Sequence, residues 1–240
     1  MSYLSDPVLT VLLCALAYLA GSMLFALPVC RAWHLPDPRA QGSGNPGATN
    51  VYRTGGWPPA ALTLFLDAAK GWLPVWFAHQ ADLTILSQAM VALCAVTGHM
   101  IPLFYRFKGG KGVATALGAG LALASSKFAR LAPLLGGSVI GLAMGAMHYV
   151  GMFAYRVDGI VHWDWRYVVA SMVIAITCSS LAIRVLRRSF GALGIWHAGT
   201  LLMLAIIGLH FGGMAGFSVS AMPGFSQGAN SEAFAALALS

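Results

Sequence analysis

Long apolar runs separated by short polar stretches are the dominant pattern along this chain. The first run, from about Pro7 to Cys30, has 24 residues, and further runs cover Pro58 to about His79 and Leu83 to Phe104. An α-helix rises 1.5 Å per residue, so about 20 apolar residues cross a hydrocarbon layer about 30 Å thick. The pattern predicts membrane-spanning helices joined by loops.

The apolar pattern continues in the second half with one short run and three longer ones. Gly112 to Ser126 has only 15 residues, about 22 Å as a helix, which is short for a span. The longer runs are Leu131–Tyr155, about Tyr167–Ile183 and about Leu193–Val219. The predicted fold class is therefore all-α, a polytopic membrane protein with six transmembrane helices, or seven if the short run spans.

The distribution of Lys and Arg between loops favours six spans. Cytoplasmic loops of membrane proteins carry an excess of these residues. Six spans place eleven loop cations inside and two outside, whereas seven spans divide them eight to five. The six-span arrangement puts Lys127–Arg130 on the cytoplasmic side, with His148 and His210 near the outer face.

Composition agrees with a membrane location. Of the 240 residues, 58% are hydrophobic and 9% are charged, with a mean hydropathy of +0.75; soluble domains are about a quarter charged. The net charge of +7 is explained by cytoplasmic loops, because no basic patch interleaved with aromatic residues indicates a nucleic-acid partner. The four cysteines lack paired or ligand-like spacing and are predicted to be core thiols.

A stretch rich in glycine and lysine interrupts the apolar runs between Phe107 and Thr115. Its small and cationic residues are Lys108, Gly109, Gly110, Lys111 and Gly112. Without Cβ atoms, the glycines let backbone N–H groups converge on one point, while the lysines and a following helix N-terminus add positive charge. That chemistry suits a phosphate. A flexible cytoplasmic loop explains the same residues, so loop chemistry alone leaves both interpretations open.

A second polar stretch, Gly42–Arg53, lies between the first two predicted helices. It is dense in glycine, amide and hydroxyl groups and too short to be a domain, so it is either a disordered linker or the wall of a pocket. Four polar side chains at near-helical spacing favour the wall, because they could share one face. These are Asn45, Thr49, Asn50 and Arg53.

Three ionisable residues lie within the apolar runs. Asp67 and Lys70 fall inside the second predicted helix, where charges are costly and at i,i+3 spacing can pair. Two interpretations remain open: a structural ion pair, and a pair that faces a water-filled functional cavity. His99 ends the third helix beside the glycine-rich stretch, where it serves as a base or phosphate ligand, or extends to the membrane interface.

These stretches resemble the bacterial acyl-phosphate:glycerol-3-phosphate acyltransferases, the PlsY family. The resemblance rests on Gly42–Asn50, Asp67–Gly71 and Gly98–Thr115. Members of that family move a fatty acyl group from acyl phosphate to glycerol 3-phosphate and yield lysophosphatidic acid. The resemblance implies a multi-pass enzyme of the bacterial inner membrane with those two substrates and membrane lipid as partners, and with no cofactor. It leaves the oligomeric state open.

The resemblance also implies roles for individual residues. The family's first motif belongs to the active site, which assigns catalysis here to Ser43, Asn45 and Arg53; His99, beside the glycine-rich stretch, is the candidate base. The glycine motif holds the glycerol phosphate in the family. It implies substrate binding by Lys108, Gly109, Gly110, Lys111, Gly112 and Thr115.

The resemblance is expected to end near Ser126. The family's third motif, of the form His-Arg-x-Asn-Ile-x-Arg-Leu, has no counterpart after that residue. We therefore expect glycerol 3-phosphate to bind while acyl transfer is weak or absent. The predicted domains are an acyltransferase region at residues 1–126, a second membrane region at 127–222 and a flexible tail at 223–240.

The second membrane region resembles the MHYT sensor domain, which implies a metal site, copper in particular, or a response to diatomic gases. The resemblance rests on Gly136–Met152 and a partial repeat at Ile207–Met214. The candidate ligands, which lie at helical spacings of four, are Met144, His148, Met152, His210 and Met214. Methionine stripes in apolar helices are more often packing. A membrane sensor without catalysis is the alternative function.

Overall fold

Helices make up most of the chain that the structure describes. The computed structural model describes residues 6–126, 131–153, 159–189 and 191–220. The helices within these ranges are α1 (Asp6–Gly21), α2 (Ala26–Ala32), α3 (Ala48–Gly55), α4 (Trp57–Gln80), α5 (Ile85–Met100), α6 (Val113–Ala124), α7 (Ala132–Phe153), α8 (Trp165–Arg188) and α9 (Ala192–Ala215). The prediction of an all-α membrane fold is confirmed at this level.

One small sheet departs from the all-helical prediction. Strand β1 (Ile160–Trp163) pairs antiparallel with β2 (Phe217–Ser220). Because β2 takes the residues after Gly216, α9 ends at Ala215 rather than at the predicted Val219. The pairing joins segments almost sixty residues apart. The hydropathy pattern of each segment gives no indication of this pairing.

The described residues contain fewer clear membrane spans than the six to seven predicted. Four helical segments are long and apolar enough to cross: Ile85–Tyr105, α7, α8 and α9. The pair α1 and α2, bent by 40°, provides a fifth if it forms one span. Of the other predicted spans, α4 carries two charged residues, and α6 has only 12 residues. The protein is thus a multi-pass integral membrane protein with four or five candidate spans.

Close helix packing in the first half of the chain depends on glycine residues. A Cβ atom at Gly98 of α5 would collide with the backbone of Tyr18 and Ser22 in and after α1. A Cβ atom at Gly71 of α4 would likewise meet the carbonyl oxygen of Thr115 in α6. Small residues let membrane helices approach closely where hydrophobic burial gives little driving force. These contacts bring α1, α4, α5 and α6 together around the polar segments.

The predicted domain boundary near residue 126 is crossed by packing. Gly136 of α7 faces the backbone of Gly120 in α6, and α7 also packs against α8, where Gly137 faces the backbone of Ser180. The division into two regions therefore stays a prediction. Lys127–Arg130 and the predicted tail at residues 223–240 lie outside the described residues.

Candidate active site

The first predicted span is broken where it approaches the glycine-rich stretch. Helix α1 ends at Gly21, and α2 begins at Ala26. At the break, the Ser22 hydroxyl donates to the Tyr18 carbonyl oxygen (2.8 Å) and accepts the Leu103 N–H (3.2 Å). The Tyr18 hydroxyl donates to the Ile101 carbonyl oxygen at 2.8 Å. These bonds hold the segment that follows α5 against the end of α1.

The glycine turn, which we define as Phe107–Gly112, folds back onto the end of α5. The Gly110 N–H donates to the His99 carbonyl oxygen at 3.1 Å. A Cβ atom on Gly110 would collide with the Nε2 atom of the His99 ring, and one on Gly109 would collide with the His99 carbonyl oxygen. Glycine is thus required at both positions because the turn lies directly against His99.

The glycine turn leaves several N–H groups available to a ligand. Within the described chain, the backbone N–H groups of Gly109, Lys111 and Gly112 donate to no acceptor. Gly112 has a φ of +72° and precedes the first residue of α6, so these donors lie beside a helix N-terminus. Converging N–H groups at a helix N-terminus favour anions. The geometry therefore matches the phosphate interpretation of the sequence.

The two lysines of the turn are exposed to solvent. Neither Lys108 nor Lys111 forms a hydrogen bond or ion pair with any described residue. Both ammonium groups therefore remain free to pair with a bound phosphate, where charge-assisted hydrogen bonds are stronger than neutral ones. Thr115, the remaining predicted binding residue, is fully buried in the first turn of α6, so its hydroxyl faces the protein.

Beneath the turn lies a set of buried polar side chains. Lys70 Nζ lies 2.8 Å from Asp67 Oδ1 and donates to the Met23 carbonyl oxygen at 2.5 Å. His99 Nδ1 lies 3.3 Å from Thr115 Oγ1 and 3.7 Å from Asp67 Oδ1. The predicted pairing of Asp67 with Lys70 is confirmed. The interpretation of His99 as a residue at the membrane interface is wrong, because only 3% of it is exposed.

The burial of His99 also bears on its predicted role as a base. Its Nδ1 atom faces Thr115 and Asp67, and its Nε2 atom lies under Gly110. A general base must come within hydrogen-bond reach of the proton that it removes, although such contacts often form only when substrate is bound. The base role of His99 stays a prediction.

The first polar stretch is organised by Asn50, one of the four polar residues predicted to form a pocket wall. Asn50, only 1% exposed, donates through Nδ2 to the carbonyl oxygens of Pro38 (2.6 Å) and Gln41 (2.9 Å). Its Oδ1 atom accepts the Ser43 N–H at 3.2 Å. These bonds fold the loop before α3, in agreement with the predicted wall. The spacing predicted only that Asn50 shares a face with three other polar residues, and an amide among glycines is common in ordinary turns.

The predicted catalytic residues of this stretch lie at its outer side. Ser43 and Arg53 are exposed and Asn45 is half-buried. Thr49 is exposed as well, whereas Asn50 points into the loop, so the predicted sharing of one face does not hold for all four polar residues. Ser43 and Arg53 can still donate hydrogen bonds to a ligand above the loop.

Arg39 connects this loop to the glycine turn. Its guanidinium lies over the ring of Tyr105, 5.8 Å from the centroid, and forms an ion pair with Asp37 at 2.6 Å. The hydrogen bond from Arg39 holds the pKa of the Asp37 carboxyl below its ordinary value. Tyr105 comes two residues before the turn, so the two motifs of the sequence are neighbours in the fold.

An apolar groove of about 460 Å³ lies between α1 and α4. Its lining includes Leu13, Leu16, Ala20, Leu66, Leu73 and Phe77. The groove also touches Met23 and Lys70, the two residues joined at the break of α1. It therefore reaches from apolar helix surface to the buried polar set beneath the turn.

The predicted metal ligands come together only in part. The rings of His148 and His210 lie with their centroids 5.4 Å apart. Met144 is buried in the apolar core, and Met214 is 43% exposed. No group of three or more His, Cys, Asp or Glu residues in the described ranges is placed to hold a metal ion. Copper binding by the five predicted ligands, Met152 included, stays a prediction.

Comparison with known proteins gives matches to one family. A family model described as glycerol-3-phosphate acyltransferase matches residues 11–215. The glycerol-3-phosphate acyltransferase of Hahella chejuensis is 59% identical over 110 residues, which are 46% of this chain and 57% of that protein. The enzyme of Idiomarina loihiensis is 53% identical over 111 residues, which again are 46% of this chain and 57% of that protein. The chain thus spans just over half the length of these curated relatives.

Among solved structures, the chain is similar to a crystal structure of PlsY (YgiH), an integral membrane glycerol 3-phosphate acyltransferase, in its glycerol 3-phosphate form. The identity is 29% with a TM-score of 0.48, over 86% of this chain and 90% of that one. For the lysophosphatidic acid form of the same protein, the identity is 27% and the TM-score is 0.46, over 83% of this chain and 87% of that one.

Two expectations about the second half are corrected by the family match. The match runs through residue 215, the end of α9, so the resemblance does not end near Ser126. The resemblance to the MHYT sensor domain finds no support in these comparisons. It depended on a few His, Met, Gly and aromatic residues, which are common in apolar membrane helices of many kinds.

The free donors of the glycine turn predict a phosphate site that single substitutions weaken. Removing one charge-assisted contact costs about 1.5–3 kcal/mol, so Lys111→Ala should lower the affinity for glycerol 3-phosphate about tenfold to a hundredfold. Gly110→Ala should do the same by pushing the turn away from His99. Calorimetry on purified protein, with Arg184→Ala on α8 as the matched control, measures the affinity. Unchanged affinity in both turn variants would place the phosphate elsewhere.

Proposed function

The chain belongs to the glycerol-3-phosphate acyltransferase family, and on that premise we propose that it transfers a fatty acyl group from acyl phosphate to glycerol 3-phosphate. The product is lysophosphatidic acid. The observation that carries the proposal is the glycine turn, with its free N–H groups and exposed lysines. The contact of Arg39 with Tyr105 connects it to the loop that bears Ser43 and Asn45. Both substrates carry a phosphate, and such a turn suits one.

The proposed reaction requires few groups from the protein. A glycerol hydroxyl oxygen attacks the acyl carbonyl carbon, the new ester bond forms, and the bond from that carbon to the phosphate oxygen breaks. The hydroxyl proton passes to a base, for which His99 is the candidate on this chain. Negative charge develops on the carbonyl oxygen in the transition state, and Ser43, Asn45 and Arg53 supply hydrogen-bond donors for it. No metal is needed, because phosphate is already a good leaving group.

We place the acyl chain of the donor substrate in the apolar groove between α1 and α4. The groove is lined almost entirely by apolar side chains and ends at Lys70 and Met23, beneath the glycine turn. Its volume of about 460 Å³ falls within the usual range of ligand sites, about 300–1,000 Å³. An acyl chain there has its carboxyl end next to the polar site and its methyl end among Leu13, Leu16 and Phe77.

We propose six spans in the bacterial inner membrane, with α4 added to the five candidates and α6, at 12 residues, not crossing the membrane. Helix α4 has 24 residues, about 36 Å at the usual rise, and its two buried charges neutralise each other. This arrangement agrees with the eleven-to-two division of loop cations and places both site loops on the cytoplasmic side.

Turnover is expected to be slower than in a relative that carries the third motif. Losing one acid or base group commonly lowers a rate about 10²- to 10⁴-fold, while binding and positioning leave residual activity. Purified protein should convert acyl phosphate and labelled glycerol 3-phosphate to lysophosphatidic acid at a rate reduced by that factor relative to the Hahella chejuensis enzyme. Lys111→Ala should reduce it further.

One result of this assay would contradict the proposal, and another would contradict only the expected loss of rate. Product no greater than in a reaction without protein, with glycerol 3-phosphate still bound, would exclude catalysis by this chain. A rate within tenfold of the relative would show that the third motif is dispensable.

The groove predicts a dependence on acyl-chain length. Ala20→Phe adds a bulky ring inside the groove; displacing two methylene groups costs about 1.6 kcal/mol, so the KM for palmitoyl phosphate should rise roughly tenfold. The KM for octanoyl phosphate should change much less, since a short chain leaves part of the groove empty. Ala15→Phe, on the exposed side of α1, is the matched control. Equal effects of Ala20→Phe on both donors would place the acyl chain elsewhere.

A further inference from the structure

We propose that three buried residues, Asp67, Lys70 and His99, act together as a positioning set for the glycine turn. They fix the turn against the break between α1 and α2 and thereby set the affinity for glycerol 3-phosphate, a role separate from the proton transfer proposed for His99. This inference rests on the proposed function, because it explains how the same phosphate site is held in shape.

His99 holds the glycine turn from below at two separate points. Its carbonyl oxygen accepts the Gly110 N–H (3.1 Å), and its ring lies so close under Gly110 that no Cβ atom fits between them. Its Nδ1 atom lies 3.3 Å from the Thr115 hydroxyl, in the helix that follows the turn. His99 therefore contacts the middle of the turn through its backbone and ring, and the start of α6 through its ring alone. The free N–H groups of Lys111 and Gly112 lie between these two points.

Asp67 and Lys70 connect His99 to the break of α1. Asp67 Oδ1 lies 3.7 Å from His99 Nδ1 and 2.8 Å from Lys70 Nζ. Lys70 in turn donates to the Met23 carbonyl oxygen, which the break leaves without a helical partner. The same break binds the segment before the turn, because the Ser22 hydroxyl accepts the Leu103 N–H. The ends of the turn and the broken helix therefore belong to one connected network.

Stability alone does not explain charges at this place. Asp67 and Lys70 are 2% and 5% exposed, and replacing a buried ion pair by apolar residues is often neutral or stabilising. A pair that only held helices together could thus be lost without effect on ligand binding. A pair that orients Met23 and His99 could not be lost in this way, since an apolar pair gives the Met23 carbonyl oxygen no donor and leaves no carboxylate oxygen near the His99 ring.

The test compares variants of the full chain by calorimetry with glycerol 3-phosphate and by thermal unfolding in detergent. The double variant Asp67→Asn with Lys70→Met should unfold within a few degrees of the wild type, yet bind glycerol 3-phosphate at least about tenfold more weakly. His99→Leu should weaken binding to the same extent. His99→Asn, which keeps a polar atom near the position of Nδ1, should restore affinity to within about threefold of wild type.

A matched control comes from the same helix as His99. Gln88 is fully buried on α5 and donates to the Leu83 carbonyl oxygen at 2.9 Å, away from the turn. Gln88→Met should change thermal stability and leave the affinity for glycerol 3-phosphate unchanged. A loss of affinity in this control equal to that in His99→Leu would overturn the inference, because any buried polar change would then suffice.

The remaining outcomes separate positioning from the other roles. If wild type binds glycerol 3-phosphate and the double variant and His99→Leu bind it equally well, the positioning role is excluded while the proposed function stands. If His99→Leu and His99→Asn both lose turnover at unchanged affinity, His99 is a catalytic base and the inference is wrong. If wild type itself does not bind glycerol 3-phosphate, the proposed function and the inference fail together.

Discussion

The contact of Lys70 with both Asp67 and the Met23 carbonyl oxygen is the interaction on which the candidate site depends. A break in a membrane helix leaves backbone carbonyl groups that lipid cannot satisfy, and protein groups must satisfy them instead. Lys70 supplies that donor, and Asp67 neutralises the charge that it brings into the bundle. With the break stabilised, Ser22 is free to bind the segment that leads into the glycine turn. A break in one membrane span thus supports the turn that we propose as the phosphate site, which follows another.

Each part of the site meets a different requirement of acyl transfer. The glycine turn offers free N–H groups and lysines to a phosphate, the loop folded by Asn50 bears Ser43 and Asn45, and the apolar groove between α1 and α4 reaches Met23 and Lys70. Arg39 joins the first two parts through its contact with Tyr105. In our proposal, acyl phosphate and glycerol 3-phosphate meet where these parts converge, and the chemistry needs donors and a base rather than a bound metal.

Local chemistry made the parts of the site predictable, but not their arrangement. The i,i+3 spacing of Asp67 and Lys70 and the glycines of the turn have a direct physical meaning in the sequence, and the pair forms as predicted. The burial of His99 and the central role of Asn50 depend on which distant segments pack against them. The periodicity of a sequence does not predict such contacts. The break between α1 and α2 follows Gly21 and includes Ser22. Small residues of this kind are also common inside continuous membrane helices, so the sequence predicted one unbroken span. In the second half, a short motif of common membrane residues led to a resemblance that the family match does not support.

The central claim is that the glycine turn and the loop held by Asn50 form one binding site. Amide hydrogen exchange, measured on the purified protein with and without saturating glycerol 3-phosphate, tests it most directly. We expect slower exchange both at Gly109–Gly112, whose free N–H groups would bind the phosphate, and at Gly42–Asn45, which would cover the glycerol. Slower exchange at the turn with no change in the loop would contradict the claim, since the two motifs would then act separately.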